Sequence, residues 1–185
     1  SLKSEIDRIA DSTNFNGINL LDGSLATGKL PTFTGLDGVT KTDVAATANK
    51  TELAALTQQT NVKAGEEFSI KLTYTDANGT TKDKTITLKA KDDKNLVDVN
   101  GNTYTLGTAG TASIDELGKA FVGAISADSE LGGQFTVTNT TGKLSFTSKA
   151  TGQNGAKVLA VETNMKGTPG TVAVEKQTAG ENAKE

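Results

Sequence analysis

Between Glu67 and Ala90 the sequence alternates with a period of two. Phe68, Ile70, Leu72 and Tyr74 fall on one side of an extended chain, and Ser69, Lys71 and Thr73 fall on the other. After "DANGTTKD" (76–83) the pattern resumes with Ile86, Leu88 and Ala90. A helix would scatter these side chains around its circumference. A hairpin gathers them on one face, and that face then needs a cover.

The neighbouring sequence supplies candidates for the cover. "NLVDVNGNTYTL" (95–106) reads as a second hairpin around Asn100-Gly101. "SIDELGKAFVGAISADSE" (113–130) reads as an amphipathic helix. Ser113 and Glu116 have capping-box spacing, and Ile114, Leu117, Phe121 and Ile125 form its buried stripe. Two strands follow, "QFTVTN" and "KLSFTS", joined by "TTG", and later "KVLAVE" (157–162) and "TVAVE" (171–175). Residues 25–50, with Gly28, Pro31, Gly35 and Gly38, read as loop, and "TELAALTQQ" (51–59) reads as a short helix. The fold class is α+β: β-rich, built of antiparallel hairpins with one packed amphipathic helix. The expected core is Phe68, Ile70, Leu72, Ile86, Leu88, Leu117, Phe121, Ile125, Phe135, Val137, Leu144 and Phe146.

Composition agrees with that reading. Apolar residues other than Gly make up 35% of the chain, and 20 Gly supply turns. Thr is the commonest residue, which favours strands and turns. Net charge is −3, and Arg8 is the only Arg among 19 basic residues. Nucleic-acid binding draws on Arg forks and basic stripes, which this pattern lacks, and no anionic-membrane footprint is visible. No apolar run reaches the roughly 20 residues of a membrane-spanning helix.

The chain has neither His nor Cys. That excludes His-based triads, zinc sites built on His, thiolate metal sites and thiol nucleophiles. Carboxylate pairs such as Asp92-Asp93 and Asp128-Glu130 sit in polar runs and read as solvated charge, since a catalytic carboxyl needs burial to tune its pKa. Asp76, Asn78 and Gly79 offer part of a calcium loop. Thr81 and Lys82 stand where further ligands would be needed, so a hairpin turn is the better reading. No Gly-rich stretch has phosphate-loop spacing. The sequence therefore predicts no enzyme, no cofactor and no metal.

One stretch stands apart. "EIDRIADSTNFNGINLLDGS" (5–24) starts as an amphipathic helix and ends in the turn dipeptides Asn16-Gly17 and Asp22-Gly23 around a short hairpin. It carries an apolar cluster of Phe15, Ile18, Leu20 and Leu21. Glu5, Ile6, Asp7, Arg8, Ile9, Phe15, Asn16, Gly17, Leu20, Leu21, Asp22 and Gly23 stand in an order that resembles bacterial flagellin. A second segment, "GTASIDELGKAFVGAISADSELGGQFTVTNTTGKLSFTSKATGQNGAKV", resembles the helix–hairpin repeat of flagellins and hook-associated proteins.

The resemblance implies two parts. Residues 1–30 would be a core-domain fragment, the end of the N-terminal helix and a β-hairpin. Residues 31–185 would be the variable, surface-exposed outer domain. Ile6, Ile9, Phe15, Asn16, Gly17, Ile18, Leu20 and Leu21 would be the packing interface to a C-terminal core helix. The alternative is that the cluster packs on residues 50–175. The family's terminal helices are not in the sequence, which opens inside a helical pattern at Ser1 and stops on a polar tail at Glu185, as a piece of a longer protein would. The implied function is structural: a subunit of the extracellular flagellar filament that serves motility. Its partners would be other flagellin subunits, and the flagellin-sensing Toll-like receptor only for the full-length protein. Nucleic acid and membrane are not expected partners. The alternatives are a hook-associated or filament-capping protein and a secreted β-rich adhesin. An adhesin would want aromatic stacking platforms, for which Tyr74 and Tyr104 are the candidates besides Phe.

Overall fold

The computed structural model describes residues 43–184. The expected helix–hairpin at 5–24, with Ile6, Ile9, Phe15, Asn16, Gly17, Ile18, Leu20 and Leu21, lies outside the described residues. The loop expected over 25–50 lies outside them up to residue 42, and its last three residues, 48–50, are strand instead.

Strands dominate, and every strand pair is antiparallel. In chain order they are β1 (Ala48–Ala55), β2 (Gln59–Thr60), β3 (Glu67–Thr75), β4 (Thr81–Ala90), β5 (Asn95–Asp98), β6 (Thr103–Thr105) and β7 (Thr111–Ala112). Helix α1 (Ile114–Ala127) and the single turn α2 (Leu131–Gln134) follow, then β8 (Phe135–Thr140), β9 (Lys143–Thr151), β10 (Lys157–Met165), β11 (Thr168–Val172) and β12 (Val174–Thr178). One sheet has six strands in the order β11-β10-β3-β4-β5-β6, and another has four in the order β12-β1-β9-β8. A two-stranded ribbon pairs β2 with β7. The chain passes from one large sheet to the other between β9 and β10, and again at Ala173 between β11 and β12. The run "TVAVE" is therefore a corner divided between two sheets.

The alternation at 68–74 is realised in β3. Phe68, Ile70, Leu72 and Tyr74 are wholly buried, and Phe68↔Leu88 and Ile70↔Ile86 are register partners in β4. The cover is α1 with the β8–β9 hairpin. Leu117, Phe121 and Ile125 point inward, and Phe135, Val137, Leu144 and Phe146 come from the hairpin. Tyr74, Phe135 and Phe146 stack edge to face, with successive ring centroids 5.8 Å apart. Every residue of the expected core is buried.

Helix α1 starts where its cap predicts. Glu116 N donates to Ser113 Oγ (3.1 Å), and Ser113 N donates to Glu116 Oε1 (3.1 Å). Ile114, expected in the stripe, is only half-buried at the mouth of the helix. The helix stops at Ala127, before the expected Glu130, because Asp128 turns extended. Its carboxylate accepts from Glu130 N (3.1 Å) and Leu131 N (2.9 Å), opening α2. Gly118 lets the helix lie against β8: a Cβ there would collide with the Asn139 carboxamide.

Residues 51–59 are a correction. Thr51–Ala55 complete β1 and Gln59 opens β2, and no helix forms. "TELAAL" has helix-forming composition, but β1 lies between β12 and β9 and hydrogen-bonds to both. Thr51 and Leu53 alternate inward, 1% exposed each, and Thr51 Oγ1 donates to Val158 O (3.3 Å). Tertiary pairing on both edges outweighs a propensity difference of a few tenths of a kcal/mol per residue.

Candidate functional site

Three of the four carboxylates that sequence reasoning weighed as catalytic candidates are bound up in local structure, and the fourth, Asp93, is exposed. Asp92 Oδ1 accepts from Lys94 N (2.8 Å), Asn95 N (2.8 Å) and Asn95 Nδ2 (3.0 Å). The Lys94 amide, then the Asn95 side chain, hold its pKa below the ordinary value. Asp128 closes the α1–α2 junction and pairs with Lys84 Nζ at 3.3 Å. Glu130 accepts the Tyr74 hydroxyl. Burial, and then this bond, push the Tyr74 phenol well above its usual pKa. These contacts pin the helix end to β3 and β4.

The stretch weighed as a calcium loop is a hairpin turn, and the fold uses the same turn twice. Asp76-Ala77-Asn78-Gly79-Thr80 and Asp98-Val99-Asn100-Gly101-Asn102 share one hydrogen-bond scheme. In each, the Asp Oδ1 accepts from the amides two and four residues on, at 2.9–3.0 Å. Gly79 N donates to Asp76 O and Gly101 N to Asp98 O, and each Gly has a left-handed φ, +81° and +87°. This is the three-residue hairpin loop with Gly at the bulge. Among the described residues, no three acidic side chains are grouped to hold a metal ion.

Neither tyrosine is an open platform. Tyr74 is fully buried. Tyr104 packs over Gly123, and its hydroxyl donates to Asp98 Oδ2 (2.8 Å). A concavity of about 510 Å³ is a shallow hollow on the outer face of the six-stranded sheet, between Glu67, Thr87, Lys89, Val97 and Val99. No helix among the described residues is long and apolar enough to cross a membrane.

The most distinctive local arrangement is where the chain enters and leaves. Val44 and Lys184 exchange both backbone hydrogen bonds, at 2.8 and 2.9 Å. Thr47 and Glu181 do the same, at 2.9 and 3.2 Å. The incoming and outgoing strands are thus an antiparallel stem. A third segment, 152–155, is tied into its base: Gly152 N donates to Thr47 O (2.7 Å), and Gln153 N to Asn182 Oδ1 (3.2 Å). Asn49, 4% exposed, joins all three. Its Nδ2 donates to Gly155 O (2.9 Å) and Gln153 O (3.3 Å), and its Oδ1 accepts from Gly180 N (2.7 Å). Gly180 is required by contact: a Cβ would lie 2.6–2.8 Å from Gly152 O, Asn49 N and Thr47 O, all backbone.

Sequence reasoning missed the stem. Asn49 lay in a stretch read as loop, and Gly180 in a polar tail. The available signal was an Asn at one end of the domain and a Gly at the other, which no local pattern links. The residues it named as a packing interface, Ile6 to Leu21, lie outside the described residues. Comparison with family models, with curated proteins and with solved structures gave no match.

Proposed function

We propose that residues 43–184 are the outward-displayed domain of a bacterial flagellin, a structural subunit of the extracellular flagellar filament. The role is mechanical and spatial, not catalytic. The observation that carries the reading is the stem. A domain whose chain enters and leaves as one hydrogen-bonded pair is suited to hang from a separate body at a single point. Two features of the sequence support it: the flagellin-like order of Glu5–Gly23, and the helix–hairpin segment, which folds as α1, β8 and β9. The implied partners are other flagellin subunits, and the flagellin-sensing Toll-like receptor for the full-length protein.

Immunogold electron microscopy tests this on the producing bacterium with an antibody raised against residues 43–184. Label along the whole filament is the expected result. Label confined to the hook junction or the filament tip would assign the chain to the hook-associated or capping proteins instead. Label on the cell surface alone would overturn a flagellar role.

A further inference from the structure

Three Asn-Gly pairs fall within the described residues: Asn78-Gly79, Asn100-Gly101 and Asn154-Gly155. In such a pair the glycine nitrogen can attack the side-chain carbonyl carbon of the asparagine. A C–N bond forms, the N–H proton passes to the amino group, and ammonia leaves. Water then opens the five-membered imide at either carbonyl, giving aspartate or its β-linked isomer. The net change is hydrolysis of a carboxamide, with water as the only co-reactant. Attack needs a side chain free to swing onto the glycine nitrogen, and a nitrogen free to leave its hydrogen bond.

All three glycine nitrogens are hydrogen-bonded, to Asp76 O (2.9 Å), Asp98 O (3.1 Å) and Gly152 O (3.3 Å), so the sites differ in the freedom of the asparagine and of the turn around it. Asn78 is exposed at the tip of the β3–β4 hairpin, and Asp76 beneath it is tied from outside its turn by Lys82 at 3.1 Å, an exposed amine. Asn100 sits in the same turn, but its Nδ2 donates to Ala127 O (3.3 Å). The Asp98 beneath it is further anchored through Oδ2 by Tyr104 Oη (2.8 Å) and Asn102 Nδ2 (3.0 Å). Asn154 precedes a buried glycine whose carbonyl is held by Asn49, with no room beside its Cα: a Cβ there would lie 2.5 Å from Ala150 O. We infer that Asn78 is a site of spontaneous deamidation, converting ahead of Asn100 and Asn154. The product places a carboxylate two residues from Asp76, in a turn that Asp76 already organises. The β-linked isomer also lengthens the turn by one methylene, against the two amides that bind Asp76 Oδ1.

The test is to incubate the folded, full chain at mildly alkaline pH and to follow the three peptides by mass spectrometry, separating the two isomers chromatographically. The Asn78 peptide should acidify several-fold faster than that of Asn100, with Asn154 slowest. Conversion of Asn100 or Asn154 at an equal or greater rate would overturn the inference. So would an intact Asn78 over a period in which the denatured chain converts it. Tyr104→Phe removes one anchor of Asp98 and should narrow the gap between Asn100 and Asn78, read as a ratio within one molecule. An unchanged ratio would show that turn anchoring is not what protects Asn100.

Discussion

The stem and the helix–hairpin unit are held together by different physics. In the unit formed by α1, β8 and β9, Leu117, Phe121, Ile125, Phe135 and Phe146 are at most 2% exposed, and the polar contacts lie at its margins. Among the described residues the stem has no comparable apolar cluster. Its order comes from reciprocal backbone bonds, the Asn49 amide and the absence of a side chain at Gly180. Burial of apolar area is non-directional and sums over many contacts, whereas each net hydrogen bond adds only about 0.5–1.5 kcal/mol and demands geometry. The unit should therefore set global stability, and the stem should open on its own at lower cost.

The sharpest way to break that contrast is Phe121→Ala. It should cost about 3–5 kcal/mol in denaturant unfolding, as for a buried aromatic truncation. A change no larger than a surface substitution, within about 0.5 kcal/mol, would remove Phe121 from the core. Asn49→Ala leaves Gly155 O and Gly180 N without their partner. The expected loss is roughly 1–3 kcal/mol. Its location matters more than its size: amide exchange should quicken at Val44, Thr47, Glu181 and Lys184 while Leu117–Ile125 stays protected. Equal acceleration in both regions would mean that the stem is part of the core's cooperative unit.

Ser113→Ala removes the α1 cap and should cost about 1 kcal/mol, with faster exchange confined to the first turn of the helix. Acid acts on the same cap. Burial works against the Glu116 carboxylate, but the Gly107 and Ser113 amides outweigh it and hold the pKa below its ordinary value. The charged form is thus favoured in the folded state. Its contribution is complete above the unfolded pKa of about 4.3 and is lost as pH falls through the lower folded value. Glu116→Gln should flatten that part of the acid-unfolding curve; an unchanged curve would assign the acid response to other groups. The smallest effect belongs to Lys71→Ala. The Lys71–Glu162 pair, at 3.7 Å, is exposed on both sides, and its loss should cost less than about 0.5 kcal/mol. A double-mutant cycle with Glu162→Ala checks it, and coupling above about 1 kcal/mol would show a pair stronger than its exposure allows.

The same contrast explains what the sequence disclosed. Strand periodicity, a capping box and Asn-Gly turns are local signals, and they led to the β3–β4 and β8–β9 hairpins, to α1 and to the apolar core. A buried residue outside any periodic run, such as Val62, carried no such signal. Strand β1 was misread because its identity is conferred by β12 and β9, far along the chain, against its own composition. The stem was invisible for the same reason. Asn49 and Gly180 are 131 positions apart, and neither residue type announces a partner.

Antiparallel residues that exchange both hydrogen bonds stand about 5.5 Å apart at Cα. Thr47 and Glu181 exchange both bonds, and a spacing of that kind is also the one closed by a two-residue Asn-Gly hairpin loop. To the chain on either side, this whole body and a tight turn are interchangeable connections. The domain is thereby free to be lost, exchanged or enlarged without altering the spacing of its flanks. Replacing residues 48–180 by Asn-Gly should leave Thr47 and Glu181 paired, with nuclear Overhauser contacts across the ladder; their absence would show that the pairing depends on Asn49 and the 152–155 segment above it.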